Sequence, residues 1–272
     1  MKNQIEVIIH QPNLDDDGLL IAALSSLGFD GFWEEENELR VYLPESDFDE
    51  NSLNQLLNNL NLTYSLSVIK DQNWNEVWES NFSPVRIDDF VGIRAFFHEP
   101  LLGVHYELLI TPKMSFGTGH HATTFLVIQL MRLLNFTNKN VLDFGTGTGV
   151  LAILAEKLGA KHVLAVDNDH WCIENASENI AINNCNIVEI QEVSSINNQW
   201  KFDCVIANIN RHIIESNLND LQLIVEKGGD LILSGLLLAD EIEIVELSNA
   251  VGFSKAKTLN KDGWIAMHFI KQ

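Results

Sequence analysis

The residues of this chain that point most directly to chemistry are three alternating glycines, Gly145, Gly147 and Gly149, which join an apolar strand pattern to a helical pattern. Side chains at these positions would block the approach of a ligand to the backbone. The helix that follows offers unpaired N–H groups and the positive end of its dipole. The spacing therefore predicts a nucleotide-binding turn between a strand and a helix.

An acidic residue follows the next predicted strand. This strand runs from His162 to Val166, and Asp167 comes directly after it, 22 residues beyond Gly145. A carboxylate at this point is suited to accept hydrogen bonds from ribose hydroxyls. Together, the glycine turn and Asp167 indicate a ligand of the adenosine type.

The glycines fit two classes of nucleotide ligand. The run from Gly147 to Ala152 has the G-x-G-x-x-A form of a dinucleotide fingerprint, so the glycines alone leave NAD open. Asp143, two residues before Gly145, favours a cationic ligand, because a carboxylate repels a pyrophosphate. S-adenosylmethionine carries a sulfonium and an ammonium group and no phosphate, and we expect it as the cofactor. A purely structural glycine turn is the remaining alternative.

A third polar residue is predicted at the same edge of the sheet. In open α/β sheets, ligands bind beyond the carboxyl ends of the parallel strands. The predicted strand Asp203–Asn208 ends in a neutral amide, whose oxygen can accept a hydrogen bond from an incoming amine. We therefore expect Asn208 to share one crevice with Gly145 and Asp167. Capping of the next turn is the alternative role for Asn208.

The elements that must position these residues alternate between strand and helix from residue 140 to residue 250. This alternation predicts a parallel sheet with helices on both faces, a doubly wound Rossmann-like α/β fold. Two strands joined through Asp262-Gly263 follow and predict a closing hairpin. Before the alternation, strands predicted at Val91–Phe97 and Tyr106–Thr111 lead to a helix predicted at Ala122–Leu134.

The first 70 residues follow the order strand, helix, strand, strand, helix, strand, which is the order of a ferredoxin-like α+β domain. The first of these helices is predicted at Asp15–Leu27. No catalytic constellation occurs here, so we expect this domain to recognise the substrate, with a purely stabilising role as the alternative. The predicted boundaries are a domain at 1–70, a connector at 71–84 that contains Trp74 and Trp78, and a ligand-binding domain at 85–272.

Composition limits the class of partner. The chain has 272 residues, with 17 Lys plus Arg against 38 Asp plus Glu, and a formal charge of −21. This field repels phosphate backbones and attracts basic partners, so we expect no direct binding of nucleic acid. The three cysteines lack the spacing of a zinc site or a disulfide framework, so we expect reduced core thiols and no metal.

Hydropathy bears on localisation. No apolar run reaches the ~18 residues needed to cross a bilayer, and the first residues lack the apolar core of a signal peptide. We therefore expect a cytoplasmic protein that does not associate with membranes. We expect it to act as a monomer.

Several motifs resemble one family of class I S-adenosylmethionine-dependent methyltransferases. The loop Phe116–Thr124 is similar to the F-G-T-G-x-H-x-T-T signature of the bacterial methyltransferases of large-subunit ribosomal protein L-eleven. Other segments that resemble this family are Asn73–Trp78, Phe82–Arg86, Leu142–Ile153, Asp167-x-Asp169 and Ala207–Ile209. The resemblance covers nearly the whole chain and is weakest over the first 70 residues. The loop differs from the common form at His120 and Ala122, where Thr and Pro are usual.

This resemblance implies an enzyme that methylates lysine side chains and the N-terminal amine of that ribosomal protein, which its small N-terminal domain recognises. It implies donor-binding roles for Thr124, Gly145, Asp167 and Asn208, to which the residue pattern adds Asp143 and Gly147. Asn208 is also the expected catalytic residue, because it would orient the amine. His120 and His121 titrate in a range useful for a general base, although a structural role is the alternative for both.

Three other functions remain open at this point. They are a class I methyltransferase of another amine, an NAD-dependent oxidoreductase and a catalytically silent binding module.

Overall fold

The computed structural model describes residues 4–10, 19–35, 37–69, 83–111, 113 and 115–272. The chain divides into two compact units, Met1–Asn81 and Phe82–Gln272. The predicted connector, with Trp74 and Trp78, lies outside the described residues up to residue 82. Within the described ranges, no helix has the length and apolar character needed to cross a bilayer.

The N-terminal unit has the ferredoxin-like arrangement that the order of its elements predicts. Its described elements are strand β1 (Gln4–His10), helix α1 (Leu19–Ser26), strands β2 (Gly31–Glu35) and β3 (Glu38–Pro44), helix α2 (Glu50–Asn59) and strand β4 (Thr63–Ile69). The strands are antiparallel in the order β2-β3-β1-β4. The helix predicted from Asp15 is described only from Leu19 onwards.

Alternating burial along β1 explains how this unit forms a core. Ile5, Val7 and Ile9 point to one face of the sheet and join a hydrophobic cluster that contains Leu53 and Leu57 of α2. Burial of such a side chain contributes about 1.5–3 kcal/mol. Helix α2 starts where Asp49 accepts a hydrogen bond from the backbone N–H of Asn51 at 3.0 Å.

The C-terminal unit alternates strand and helix as predicted. Its elements are β5 (Val85–Ile87), β6 (Val91–Arg94), β7 (Tyr106–Leu109), α3 (Ala122–Leu133), β8 (Asn140–Phe144), α4 (Val150–Lys157), β9 (His162–Asp167), α5 (His170–Ile182), β10 (Val188–Glu192), β11 (Phe202–Asn208), α6 (Arg211–Ile224), β12 (Val225–Leu237), α7 (Glu241–Ala250), β13 (Phe253–Lys261) and β14 (Trp264–Lys271).

A large twisted sheet forms the centre of this unit, with the described strand order β10-β9-β8-β11-β12-β14-β13. The five strands β8 to β12 are parallel to one another, whereas β14 is antiparallel to both β12 and β13. Two hydrophobic clusters hold the helices against the sheet. Helix α4 is buried on nearly every side from Val150 to Ala155, as expected for a helix that is apolar all round. The predicted parallel sheet and closing hairpin are confirmed.

Some predicted boundaries are wrong for local reasons. The strand predicted to reach Phe97 ends at Arg94, because Ala95 and His98 close a turn through hydrogen bonds of 3.2 Å in each direction. The strand predicted to reach Thr111 ends at Leu109, and the backbone N–H of Thr111 donates instead to the Asn179 side chain at 2.8 Å. Neither the turn nor the side-chain contact leaves a mark in the local hydropathy pattern.

Candidate active site

A cavity of about 580 Å³ lies at the carboxyl ends of β8, β9 and β11. Its volume is in the range of sites for small ligands, which are commonly 300–1,000 Å³. Gly145, Gly147, Asp167 and Asn208 all line this cavity. The fold therefore brings together four of the residues that were singled out in the sequence.

The glycine turn needs glycine partly for a reason that the sequence did not indicate. Gly145 and Gly147 have φ angles of +79° and +54°, a left-handed conformation that favours glycine. A Cβ atom on Gly147 would overlap the carbonyl oxygen of Phe116, and one on Gly145 would overlap Cγ2 of Ile209. Side chains are thus excluded at Gly145 and Gly147 by packing against other segments of the protein. This reason is separate from the space that a ligand would need.

The loop that begins at Phe116 is fixed directly onto this turn. The backbone N–H of Thr148 donates to the carbonyl oxygen of Phe116 at 2.9 Å, and its hydroxyl donates to that of Gly117 at 2.7 Å. Phe116 also lines the cavity. Two motifs that are separate in the sequence therefore form one wall of the site.

Asp167 is held rigidly at the end of β9. Its Oδ2 accepts a hydrogen bond from the backbone N–H of Gly147 at 2.9 Å, and its Oδ1 accepts one from the N–H of Asp169 at 3.1 Å. A carboxylate has about four lone-pair positions, so Asp167 retains capacity for ligand hydroxyls. The first of these bonds also ties the acid to the glycine turn.

Asp143 is buried behind the residues that line the cavity, with 1 % of its surface exposed. Its Oδ2 accepts a hydrogen bond from the hydroxyl of Thr146 at 2.7 Å, while Oδ1 has no partner of ordinary geometry among the described residues. Burial raises the pKa of Asp143 to about 7. A cationic group that approached this carboxyl would favour its ionised form.

Thr124 is also buried and has a side-chain oxygen without a partner among the described residues. It lies in the first turn of α3, and the oxygen without a partner is its Oγ1. The neighbouring residue Thr123 lines the cavity, whereas Thr124 does not. Thr124 and Asp143 are thus the two predicted donor-binding residues that the structure places off the cavity wall.

Asn208 ends β11 and is one of the residues that line the cavity. Its Oδ1 atom is buried and accepts no hydrogen bond from any residue that the structure describes. A buried acceptor without a partner costs free energy, and such a group calls for an explanation. A ligand that donates an N–H group would satisfy it.

Aromatic rings form a wall of the cavity that sequence reasoning missed. The His121 ring lies 5.2 Å from the Phe116 ring and 4.7 Å from the Trp264 ring, measured between centroids, with edge-to-face geometry. All three residues line the cavity. The predicted hairpin could have indicated Trp264. This residue begins β14, which runs antiparallel to β12 and therefore starts at the edge of the sheet where the parallel strands end.

The two loop histidines have different surroundings. His121 is the N-cap of α3, where its Nδ1 accepts from the backbone N–H of Thr123 at 3.3 Å and lies 2.8 Å from its hydroxyl oxygen. His120 Nε2 lies 2.9 Å from the carbonyl oxygen of Ser83. His121 lines the cavity, whereas His120 does not.

The lining of the cavity fits S-adenosylmethionine better than a dinucleotide. Asp167 offers a carboxylate that can accept hydrogen bonds from hydroxyl groups, and Asn208 has a buried amide oxygen without a hydrogen-bond partner among the described residues. Among the described residues on the wall there is no Lys or Arg to hold a pyrophosphate. Cys172 also lies on this wall, so the expectation that all three cysteines belong to the core is wrong for this one.

A largely parallel sheet closed by a reversed strand, with a glycine turn after one strand and an acid after its neighbour, is the structure of a class I S-adenosylmethionine-dependent methyltransferase. A family model described as "Ribosomal protein L11 methyltransferase (PrmA)" matches residues 22–272, and the chain belongs to this family. Membership confirms the expected enzyme class and methyl donor, and it decides against the NAD-dependent alternative.

Individual relatives agree with this assignment. A ribosomal protein L11 methyltransferase of Porphyromonas gingivalis is 39% identical, over 92% of this chain and 89% of that protein. One of Bacteroides fragilis is 35% identical, over 93% of each. The crystal structure of ribosomal protein L11 methylase from Lactobacillus delbrueckii subsp. bulgaricus has 26% sequence identity and a TM-score of 0.65, covering 70% of this chain and all of that one.

Proposed function

We propose that this enzyme methylates amines of ribosomal protein L11, at lysine side chains, the N-terminal amine or both. The relatives that cover nine-tenths of the chain carry the name of this substrate. The observation that carries the amine chemistry is that Asn208 lines the cavity and has a buried Oδ1 with no hydrogen-bond partner among the described residues. A formal charge of −21 also favours a lysine-bearing protein over a nucleic acid as the partner.

The donor is assigned to residues that meet at the strand ends. Asp167 would accept hydrogen bonds from ribose hydroxyls, and the backbone of Gly145 and Gly147 would lie against the ligand. Asp143 and Thr124 are buried, and each has one side-chain oxygen without a partner of ordinary geometry among the described residues, so we assign both to the donor site. S-adenosylmethionine supplies an electrophilic methyl group on a sulfonium centre.

Asn208 is suited to the acceptor side of the reaction because it is neutral. A free lysine has a pKa of about 10.4, so only about one amine in 10³ is deprotonated near pH 7. A carboxylate at this position would stabilise the ammonium form, which has no lone pair. An amide oxygen accepts an N–H bond from the neutral amine without that penalty, and alignment of the two reactants can then contribute ~7–11 kcal/mol.

The N-terminal unit is assigned to recognition of the protein substrate, with domains at 1–70 and 85–272 joined by the connector 71–84. Support comes from the glycine turn, Asp167 and Asn208, which all belong to the C-terminal unit. We also propose that the enzyme acts as a monomer in the cytoplasm and does not bind nucleic acid or membranes directly. A class I methyltransferase of another amine is the second candidate, because the cavity wall does not distinguish between amines.

The test combines substrate and site. Labelled methyl groups should pass from S-adenosylmethionine to purified ribosomal protein L11 with wild-type enzyme. Asn208→Asp should depress turnover at about pH 7.5 and regain part of it at higher pH, since its carboxylate holds the amine protonated. Asn208→Ala should be slow across the whole range.

Donor affinity must be measured in both variants, because Asn208 is also assigned to the donor site. If Asn208→Asp has a pH profile parallel to wild type at saturating donor, Asn208 does not orient the amine. If wild-type enzyme transfers methyl groups to small amines but not to the ribosomal protein, the second candidate replaces the first.

A further inference from the structure

Ile209, the residue after Asn208, lies between two glycines from separate parts of the chain. One is Gly145, at the end of β8, and the other is Gly235, within β12. All four of these residues line the cavity. The position of Ile209 therefore affects the part of the site that presents the Asn208 amide.

The backbone of Ile209 packs closely against Gly235. A Cβ atom at Gly235 would lie 2.7 Å from the carbonyl carbon of Ile209 and 3.1 Å from its nitrogen, and it would overlap the carbonyl oxygen. Backbone atoms cannot move aside as a flexible side chain can. Only glycine permits this approach.

A β-bulge brings Gly235 to this place. The pairing of β12 with β14 shifts register between Ser234 and Leu236, and Gly235 has a φ angle of +85°. The carbonyl oxygen of Ser234, just before the bulge, accepts a hydrogen bond from the backbone N–H of Ile209 at 3.2 Å. Bulges are common beside active sites, where they redirect a side chain or end a pairing.

The side chain of Ile209 is held from the opposite direction. Its Cγ2 atom occupies the space that a Cβ on Gly145 would need. Ile209 is thus fixed at its backbone by the bulge and at its side chain by the glycine turn. The peptide unit that joins it to Asn208 has little freedom to rotate.

We propose that Gly235 is a positioning residue for methyl transfer, because its bulge holds Ile209 and thereby sets the direction of the Asn208 amide oxygen. Gly235 itself touches no reacting atom. The proposal rests on the proposed function only for the role of Asn208 in orienting the amine. The contact between Gly235 and Ile209 is independent of the substrate.

The same strand contains a matched control. Gly228 also lies in β12 and has a φ angle of +75°, but no atom lies within 4 Å of the position of its Cβ. Gly235→Ala and Gly228→Ala therefore impose similar backbone strain. Only the first also displaces Ile209.

Hydrogen exchange measures the contact without reference to activity. We expect the Ile209 amide to lose about tenfold or more of its protection in Gly235→Ala and to keep it in Gly228→Ala. Turnover of ribosomal protein L11 should fall by about 10- to 100-fold in Gly235→Ala, as expected for a misplaced reacting group, and stay within about twofold in Gly228→Ala. The KM for the protein and the Kd for S-adenosylhomocysteine should change little in either variant.

Ile209→Ala provides a second variant in case Gly235→Ala does not fold. It removes the Cγ2 contact with Gly145 and introduces no new atoms. We expect faster exchange at residue 209 and a lower kcat, with an unchanged KM for the protein. A kcat equal to that of wild type would show that the direction of Asn208 does not depend on this packing.

Two further results would overturn the proposal. The first is equal exchange and equal kcat in Gly235→Ala and Gly228→Ala. The second is a turnover by Gly235→Ala that returns to the wild-type value at saturating S-adenosylmethionine, together with a weakened affinity for S-adenosylhomocysteine, which would assign the bulge to donor binding. If wild-type enzyme does not methylate the ribosomal protein, the proposed function fails, while the exchange comparison still decides whether Gly235 holds Ile209.

Discussion

At the scale of single residues, the carboxylate of Asp167 is fixed by hydrogen bonds from the backbone. Two backbone N–H groups, from Gly147 and Asp169, hold its carboxylate oxygens at 2.9 and 3.1 Å. Little rotamer freedom remains to be lost on binding, and preorganisation of this kind improves affinity. Asp167 lines a cavity whose wall is rich in apolar groups, where a charged acceptor is effective.

Asp167→Ala should therefore weaken donor binding by ~1.5–3 kcal/mol, the value expected for loss of a charged hydrogen-bond acceptor. This corresponds to about a 10- to 150-fold increase in Kd. Calorimetric titration with S-adenosylhomocysteine measures the change directly. The fold should survive, because the sheet pairs through its backbone.

Asp169→Ala is the matched control for that measurement. Asp169 caps α5 by accepting a hydrogen bond from the N–H of Trp171 at 2.9 Å, and it does not line the cavity. Loss of the cap should lower the free energy of unfolding by about 1 kcal/mol and leave donor affinity unchanged. Unchanged affinity in a folded Asp167→Ala protein would remove Asp167 from the donor site.

At the scale of elements, a buried polar network joins the strands at the end of the sheet opposite the cavity. Asp230 of β12 contacts Lys139, just before β8, at 2.6 Å and His268 of β14 at 2.8 Å. Burial acts to raise the pKa of Asp230, but the hydrogen bonds from His268 and Lys139 outweigh it and hold that pKa below 3.8. The ionised carboxylate therefore stabilises the folded state.

Asp230→Asn should lower the free energy of unfolding by about 1–3 kcal/mol near pH 7, because Lys139 and His268 lose a charged partner. A carboxyl group whose pKa is lowered by folding stabilises the folded state at pH values above its ordinary pKa of 3.8. This stabilisation is lost as the pH falls through the pKa of the folded state. The difference in the free energy of unfolding between Asp230→Asn and wild type should thus persist from about pH 8 to pH 5 and become smaller only at lower pH. Urea denaturation across this range measures it.

An ion pair on the surface provides a control for the Asp230→Asn measurement. Asp262 lies 3.2 Å from Lys261 with 72% of its side chain exposed, so Asp262→Asn should change stability by no more than about 0.5 kcal/mol. Donor affinity should be the same in both variants, since neither residue lines the cavity. An Asp230→Asn protein as stable as wild type at pH 7 would contradict a stabilising role for the network.

At the scale of the whole molecule, the division of the chain into two units separates the groups assigned to chemistry from the rest. The described residues that line the cavity fall between Phe116 and Trp264, within the C-terminal unit. The N-terminal unit has its own hydrophobic cluster and its own sheet. This is the organisation expected when catalysis and recognition are carried by different domains.

A truncated chain that begins near Gln72 should consequently bind S-adenosylhomocysteine with the affinity of the full chain, because the cavity is intact. It should lose methylation of ribosomal protein L11 if the N-terminal unit recognises that protein. Calorimetry shows that the truncated chain is folded, and labelled-donor transfer gives its activity. Near-normal transfer would reduce the N-terminal unit to a stabilising role.

The sequence by itself determined those features of this protein that arise from residues close together in the chain. Strand and helix periodicities predicted the order of elements, and the glycine turn identified one strand end. Because parallel strands end at one edge of a sheet, the positions of Asp167 and Asn208 in one cavity also followed. The loop signature beginning at Phe116 pointed to the family, which the family model over residues 22–272 confirms.

Only the tertiary structure decided the contacts between segments that are far apart in the chain. The carbonyl of Phe116 occupies the space beside Gly147, and the Gly235 bulge receives Ile209. Trp264 joins His121 on the cavity wall, whereas Asp143 lies behind it. Such contacts depend on strand order, on register and on a one-residue bulge. Local hydropathy carries no record of these features, because they arise only when separate strands pair.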